Sequence, residues 1–137
     1  MLTKKYLDDL TYEVIGCAIE VQKSVGRGLL ENVYHECMKE ELLHRKINFQ
    51  TEMKVPLIYR GKALDVDFRS DLYVENAIVV ELKSVIEMNP IFEAQLLTYM
   101  RLLACPKGIL INFNCKNIFN EGQKTFVNEY FSKLPNL

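Results

Sequence analysis

Residues 77 to 82 read Ala-Ile-Val-Val-Glu-Leu, apolar on both faces except for one acid near the end. A strand without a polar face must be covered on both sides, so it belongs at the centre of a sheet with helices above and below, not at a solvated edge. The rest of the chain must supply that cover.

Helical cover is visible in three places. Residues 4 to 25 set Leu7, Leu10, Val14, Ala18, Val21 and Val25 at intervals of three and four, which is one apolar stripe, and Gly26 and Gly28 then break it. A second helix starts near Leu29 or Leu30 and runs to about Lys46, with Leu30, Val33, Tyr34 and Cys37 inward and Lys39, Glu40, His44 and Arg45 outward. His35 and His44 are expected on its solvated part. Asn89-Pro90 offers an N-cap followed by proline at the first helical position, opening a nearly all-round apolar helix through about Ala104 that should be buried on the sheet.

Between and after these helices the period is two. From Phe49, Val55, Leu57 and Tyr59 alternate with Lys54 and Ile58, and Arg60-Gly61-Lys62 supplies a turn. Residues 64 to 74 continue the meander, with Val66, Phe68, Leu72 and Val74 on one face and Asp65, Asp67, Arg69, Asp71 and Tyr73 on the other. Gly108 to Phe113 reads as another core strand. Asn112, Asn114, Asn117, Asn120 and Gly122 mark a turn-rich stretch before a short element around Phe126 to Phe131. No repeat, linker or low-complexity tract interrupts this pattern, so one domain is expected over residues 1–137, an α/β mixed sheet flanked by helices in the order α-α-β-β-β-α-β.

With 17 basic and 18 acidic residues the net charge is −1, so the chain lacks the strongly basic footprint of many nucleic-acid binders. An enzyme that must release its product needs only a local basic rim. Met1 to Asp9 lacks the apolar core of a signal peptide and no apolar run is long enough to cross a bilayer, so a soluble, cytoplasmic protein without a membrane partner is expected. Cys17, Cys37, Cys105 and Cys115 form no CxxC pair and read as free, mostly buried thiols. Their spacing gives no support to a zinc site completed by His35 or His44.

The turn signal Glu75-Asn76 brings chemistry-bearing residues together. If the loop takes three residues, Asp71 lies directly opposite Glu81; a two-residue loop sets Asp71 opposite Val80 and leaves Glu81 one step away. In the three-residue register Asp71 and Glu81 share a face, and Lys83 joins them by strand alternation. Two carboxylates directly across a strand pair repel unless a cation sits between them, and a hard oxygen site with few protein ligands suits Mg²⁺, or Mn²⁺. Asp71 and Glu81 would hold the metal, while Lys83 would orient or help deprotonate the attacking water and offset charge in the transition state. The same residues also fit an ordinary solvated strand end.

Asp71, then Glu81-Leu82-Lys83, then Gln95 and Tyr99 on the following helix, together resemble the PD-(D/E)XK nuclease superfamily, in particular its RecB-like branch with a QxxxY helix. Gly28-Leu29-Leu30-Glu31-Asn32-Val33-Tyr34 is similar to the GxxExxY signature of a family of small bacterial proteins in that superfamily. The resemblance implies a restriction-endonuclease-like core and a metal-dependent nuclease. It makes Glu31 an acidic contributor from the second helix, Asp71 and Glu81 the metal carboxylates, Lys83 the catalytic lysine and Gln95 a residue lining the site, with Tyr99, Tyr34 and Gly28 as accessory or packing residues. Ser70 stands where the superfamily's name has proline.

The leading expectation is therefore a Mg²⁺-dependent phosphodiesterase acting on nucleic acid, DNA ahead of RNA. The competing ones are an inactive nuclease-fold module that binds nucleic acid or a protein, and a small-molecule phosphatase using the same metal. Each accessory residue also has a simpler reading: Glu31 as an acid at a helix N-terminus, Gln95 as a partner for a strand end, and Tyr34 and Tyr99 as packing residues. A chain of this size could form a homodimer to bring two sites to two strands.

Overall fold

A computed structural model describes residues 1–137. The elements are α1 (Lys4–Val25), α2 (Glu31–His44), β1 (Phe49–Lys54), β2 (Leu57–Tyr59), β3 (Lys62–Leu64), β4 (Arg69–Val74), β5 (Ile78–Lys83), α3 (Pro90–Leu102), β6 (Lys107–Asn112), a single π-helical turn (Ile118–Gly122), β7 (Gln123–Val127) and α4 (Glu129–Ser132). Five strands form one mixed sheet in the order β1-β4-β5-β6-β7, with β5 and β6 parallel and the other pairs antiparallel. The apolar strand identified from the sequence is the central one.

Its two faces go to two cores. Ile78, Val80 and Leu82 join Leu7, Val14, Ala18, Tyr34, Met38 and Leu42 from the α1–α2 pair, whereas Val79 packs with Leu96, Tyr99 and Met100 of α3. Gly108 permits the close approach of α3: a Cβ there would stand 2.5 Å from Met100 Sδ and 3.1 Å from a Leu96 methyl. α1 and α3 start on side-chain caps, whereas α2 has none. Asn89 Oδ1 accepts from the Ile91 amide at 2.9 Å ahead of Pro90, and Thr3 Oγ1 accepts from Tyr6 N at 3.0 Å.

Several local expectations are corrected. The stretch from Phe49 to Tyr59 is not one strand, because Pro56 has no amide to donate; the ladder stops at Lys54, and β2 pairs with β3 in a separate hairpin. Residues 65 to 68 lie outside any strand. Leu30 precedes α2 as its extended N-cap residue and is 79% exposed, and Val33 is exposed because Tyr34, Met38 and Leu42, four residues apart, form the buried row of the helix. Val25 at the end of α1 is exposed as well. Only one face of α3 is buried, and Ile91 and Leu97 face solvent. The closing element resolves into β7 and the one-turn α4. All four cysteines are free, Cys17 and Cys105 buried and the other two half-buried. No helix is long and apolar enough to cross a membrane.

Candidate active site

The hairpin joining β4 to β5 pairs Val74 with Ile78, Tyr73 with Val79 and Leu72 with Val80, so Glu75, Asn76 and Ala77 form the connection. Glu75 and Asn76 are both left-handed, at φ 52° and 51°, and the Ala77 amide donates to the Val74 carbonyl at 2.9 Å. This is the three-residue register, and it directs Asp71 and Glu81 to the α3 side of the sheet. Beyond Leu72 and Val80 the ladder stops. There the Leu82 amide donates to Asp71 Oδ2 at 2.9 Å, so a side chain takes the place of a strand partner.

Glu81 is 4% exposed, and its Oε1 has no hydrogen-bond partner. Burial first, and then the Asp71 carboxylate beside it, hold the Glu81 carboxyl well above the usual carboxylate range; Lys83 pulls the other way. A buried orphan oxygen next to a second carboxylate fits a hard divalent cation, which would supply the missing positive charge. No three His, Cys, Asp or Glu side chains converge into a metal-binding group. The candidate ligands are therefore a carboxylate pair, leaving further coordination positions to water and substrate.

Lys83 Nζ lies 3.8 Å from Glu31 Oε1 and 4.4 Å from the centroid of the Phe92 ring. α2 brings Glu31 next to Lys83, where burial raises its carboxyl pKa while Lys83 and His35 lower it and Asp71 raises it. Gln95 Nε2 donates to Tyr99 Oη at 3.0 Å. The Tyr99 hydroxyl, raised in pKa by burial and by Glu81, sits within the field of the acids, whereas Gln95 itself is exposed and reaches the site only through Tyr99.

Tyr34 is wholly buried, stacked on Phe113 with ring centroids 4.3 Å apart, and its hydroxyl donates to Gly26 O at 2.7 Å and accepts from Leu29 N at 3.2 Å. It holds the loop that precedes Glu31. Gly28 in that loop takes φ +85°, a conformation that favours glycine.

His35 is expected in solvent, but it is half-buried and its Nε2 lies 3.1 Å from the Asp71 carbonyl. His44 is exposed as expected. Ser84 and Asn112 are two further supports that patterning did not single out as site residues. Ser84 Oγ donates to Leu29 O at 2.6 Å, and the Asn112 amide clamps Val85 N and O at 3.1 and 3.0 Å, fixing the exit of β5. An asparagine within an otherwise apolar run was the available signal for the second. The largest cavity, about 580 Å³, lies elsewhere, between the end of α1 and the π-helical turn; chemistry rather than concavity picks out the carboxylates.

A family model for the PD-(D/E)XK nuclease superfamily matches residues 8–125. The crystal structure of SSO0001 aligns with a TM-score of 0.53 at 22% identity, over 71% of this chain and 49% of that one, so the chain spans about half of that protein's length. This likeness is one of fold. No curated protein matches the sequence.

Proposed function

Because the chain belongs to the PD-(D/E)XK nuclease superfamily, we propose that Asp71, Glu81 and Lys83 form a divalent-metal centre that hydrolyses phosphodiester bonds, with DNA as the substrate and Mg²⁺ or Mn²⁺ as the metal. The observation that carries the reading is the buried, unpartnered Glu81 oxygen beside the Asp71 carboxylate.

Asp71 and Glu81 would hold the cation, which when bound lowers the pKa of a coordinated water and polarises a phosphoryl oxygen. Lys83, braced between Glu31 and the Phe92 ring, orients the attacking water and offsets negative charge as it develops on the phosphoryl oxygens. Glu31 keeps the ammonium in position. The Leu82 amide and His35 fix Asp71 from two sides. Gln95 and Tyr99, bonded to each other one turn apart, support assignment to the RecB-like branch. The loop tied by Tyr34 and the Glu31–Lys83 pair together support the GxxExxY assignment.

The test is cutting of plasmid and single-stranded DNA with Mg²⁺ or Mn²⁺ by wild type and by Asp71→Ala, Glu81→Ala and Lys83→Ala. Each variant, with its fold verified by circular dichroism, is expected to lose at least about a hundredfold in rate. Unchanged cutting by these variants would reject the centre. An inactive wild type that binds DNA as well as its variants do would identify the chain as a binding module on a nuclease fold.

A further inference from the structure

The end of α1 and the π-helical turn enclose the 580 Å³ cavity, and its rim carries Lys23, Arg27 and Lys116. None of these three cations takes part in an ion pair. The nearby Glu121 carboxylate accepts from the Lys116 and Asn117 amides at 2.7 and 3.3 Å and keeps its negative charge beside the rim. On a chain whose net charge is −1, a concavity lined by three cations and by no acid is locally basic, with the Glu121 carboxylate beside it. Phe119 lines the same cavity and is 55% exposed.

Hydrogen bonds tie the walls to the end of β5. Gln22 Nε2 donates to Phe113 O at 2.9 Å and to Cys115 O at 2.7 Å, tying α1 to the opposite wall. Phe113 N donates to Lys83 O at 2.8 Å, and Cys115, two residues on, lies within about 7 Å of Phe113 along the chain. The other wall continues through Arg27 to Leu29, whose carbonyl is held by Ser84, the residue after Lys83. The cavity therefore lies at the same end of the sheet as the carboxylates but on the α1 face, with Lys83, Ser84 and Leu29 linking the two.

We propose that this cavity binds the single-stranded DNA that continues from the scissile phosphate, with phosphates on Lys23, Arg27 and Lys116 and one base stacked on Phe119. The identity of the polymer rests on the nuclease reading; the track itself rests on the cavity. Cations along a groove with an exposed aromatic ring are the physical requirements for holding a flexible strand, whereas the bases of a duplex are stacked inside and out of reach of Phe119.

The probe is a fluorescein-labelled oligothymidylate of about 12 nucleotides, titrated with the full chain in EDTA across a salt series. Lys23→Ala/Arg27→Ala/Lys116→Ala is expected to flatten the slope of log K against log salt by about 2, since each phosphate contact on a single strand contributes about 0.7. Phe119→Ala should weaken binding roughly fivefold to a hundredfold. A control of equal charge change, Lys46→Asn/Arg101→Ala/Lys133→Ala, should leave the slope as in wild type. The proposal is overturned if the groove triple variant keeps the wild-type slope, or if a blunt duplex binds as tightly as the single strand. In the first case, cutting of plasmid by wild type with Mn²⁺ would leave the nuclease reading standing. A wild type that neither binds nor cuts would remove both.

Discussion

The Leu82 amide donates to the carboxylate of Asp71, eleven residues earlier in the chain, at 2.9 Å, so an aspartate side chain ends the β4–β5 ladder where a strand carbonyl would otherwise continue it. That bond sets the Asp71 carboxylate beside Glu81 at the point where the sheet opens, and places backbone order and candidate chemistry in the same few atoms.

The carboxyl pair is a cost to the metal-free fold. Glu81→Gln keeps the shape, removes a buried acid and supplies an amide that can donate to Asp71. It should raise the urea-unfolding stability measured in EDTA at pH 7 by on the order of 1–3 kcal/mol, because the buried carboxyl must take up a proton on folding and the amide need not, while abolishing cutting. A variant less stable than wild type would mean that Glu81 is already satisfied without metal.

His35 contacts the backbone carbonyl of Asp71, and on the proposed mechanism it acts by positioning that residue. His35→Ala should retain the fold and lower the cutting rate by about ten- to hundredfold, the usual range for a group supporting a metal ligand, with His35→Gln restoring part of it. The rate at saturating DNA separates this role from a loss of substrate binding. Wild-type turnover by His35→Ala would remove the role.

Tyr34 tests how far the loop before Glu31 depends on one hydroxyl. Tyr34→Phe preserves the stack on Phe113 but leaves Gly26 O and Leu29 N without their partner, and should cost about 1–3 kcal/mol in urea unfolding. Tyr34→Ala also empties the core position and should cost about 3–5 kcal/mol. Equal stability of Tyr34→Phe and wild type would show the hydroxyl to be dispensable.

Burial pushes the Cys17 and Cys105 thiols up to about 11, from an ordinary value near 9. A thiol whose folded pKa exceeds its unfolded one contributes stability below the unfolded value and loses it as pH climbs through the folded one. Stability should therefore fall between about pH 9 and 11, and Cys105→Ala should show a shallower fall. Iodoacetamide at pH 8 should modify the half-buried Cys37 and Cys115 first, read by peptide mass, and equal modification of all four would contradict the burial.

Much of the frame was legible because it rests on patterns that tertiary context seldom reverses. The two-sided apolar run of β5, the stripe of α1 and the Asn89-Pro90 cap each have one economical packing solution. The hairpin could be narrowed to two registers, and the choice fell to Ala77, which completes the turn rather than opening β5; nothing in its side chain announces that. Misjudged positions have separate causes. Leu30 falls on the extended residue before α2, where no helical stripe reaches, and Val33 lies beside the buried row of Tyr34, Met38 and Leu42, a choice between adjacent stripes that periodicity alone does not make. His35 was misread because its partner is a backbone carbonyl of a strand 36 residues away, and a carbonyl carries no residue type for a sequence to display.

Calorimetric titration of Mn²⁺ into the full chain and into Asp71→Ala/Glu81→Ala tests the centre most directly, because it reads the ligands without requiring the right DNA. Saturable binding by wild type that disappears in the double variant is the expected result. No binding at millimolar Mn²⁺, or equal binding by both proteins, would contradict a metal centre built on this carboxylate pair.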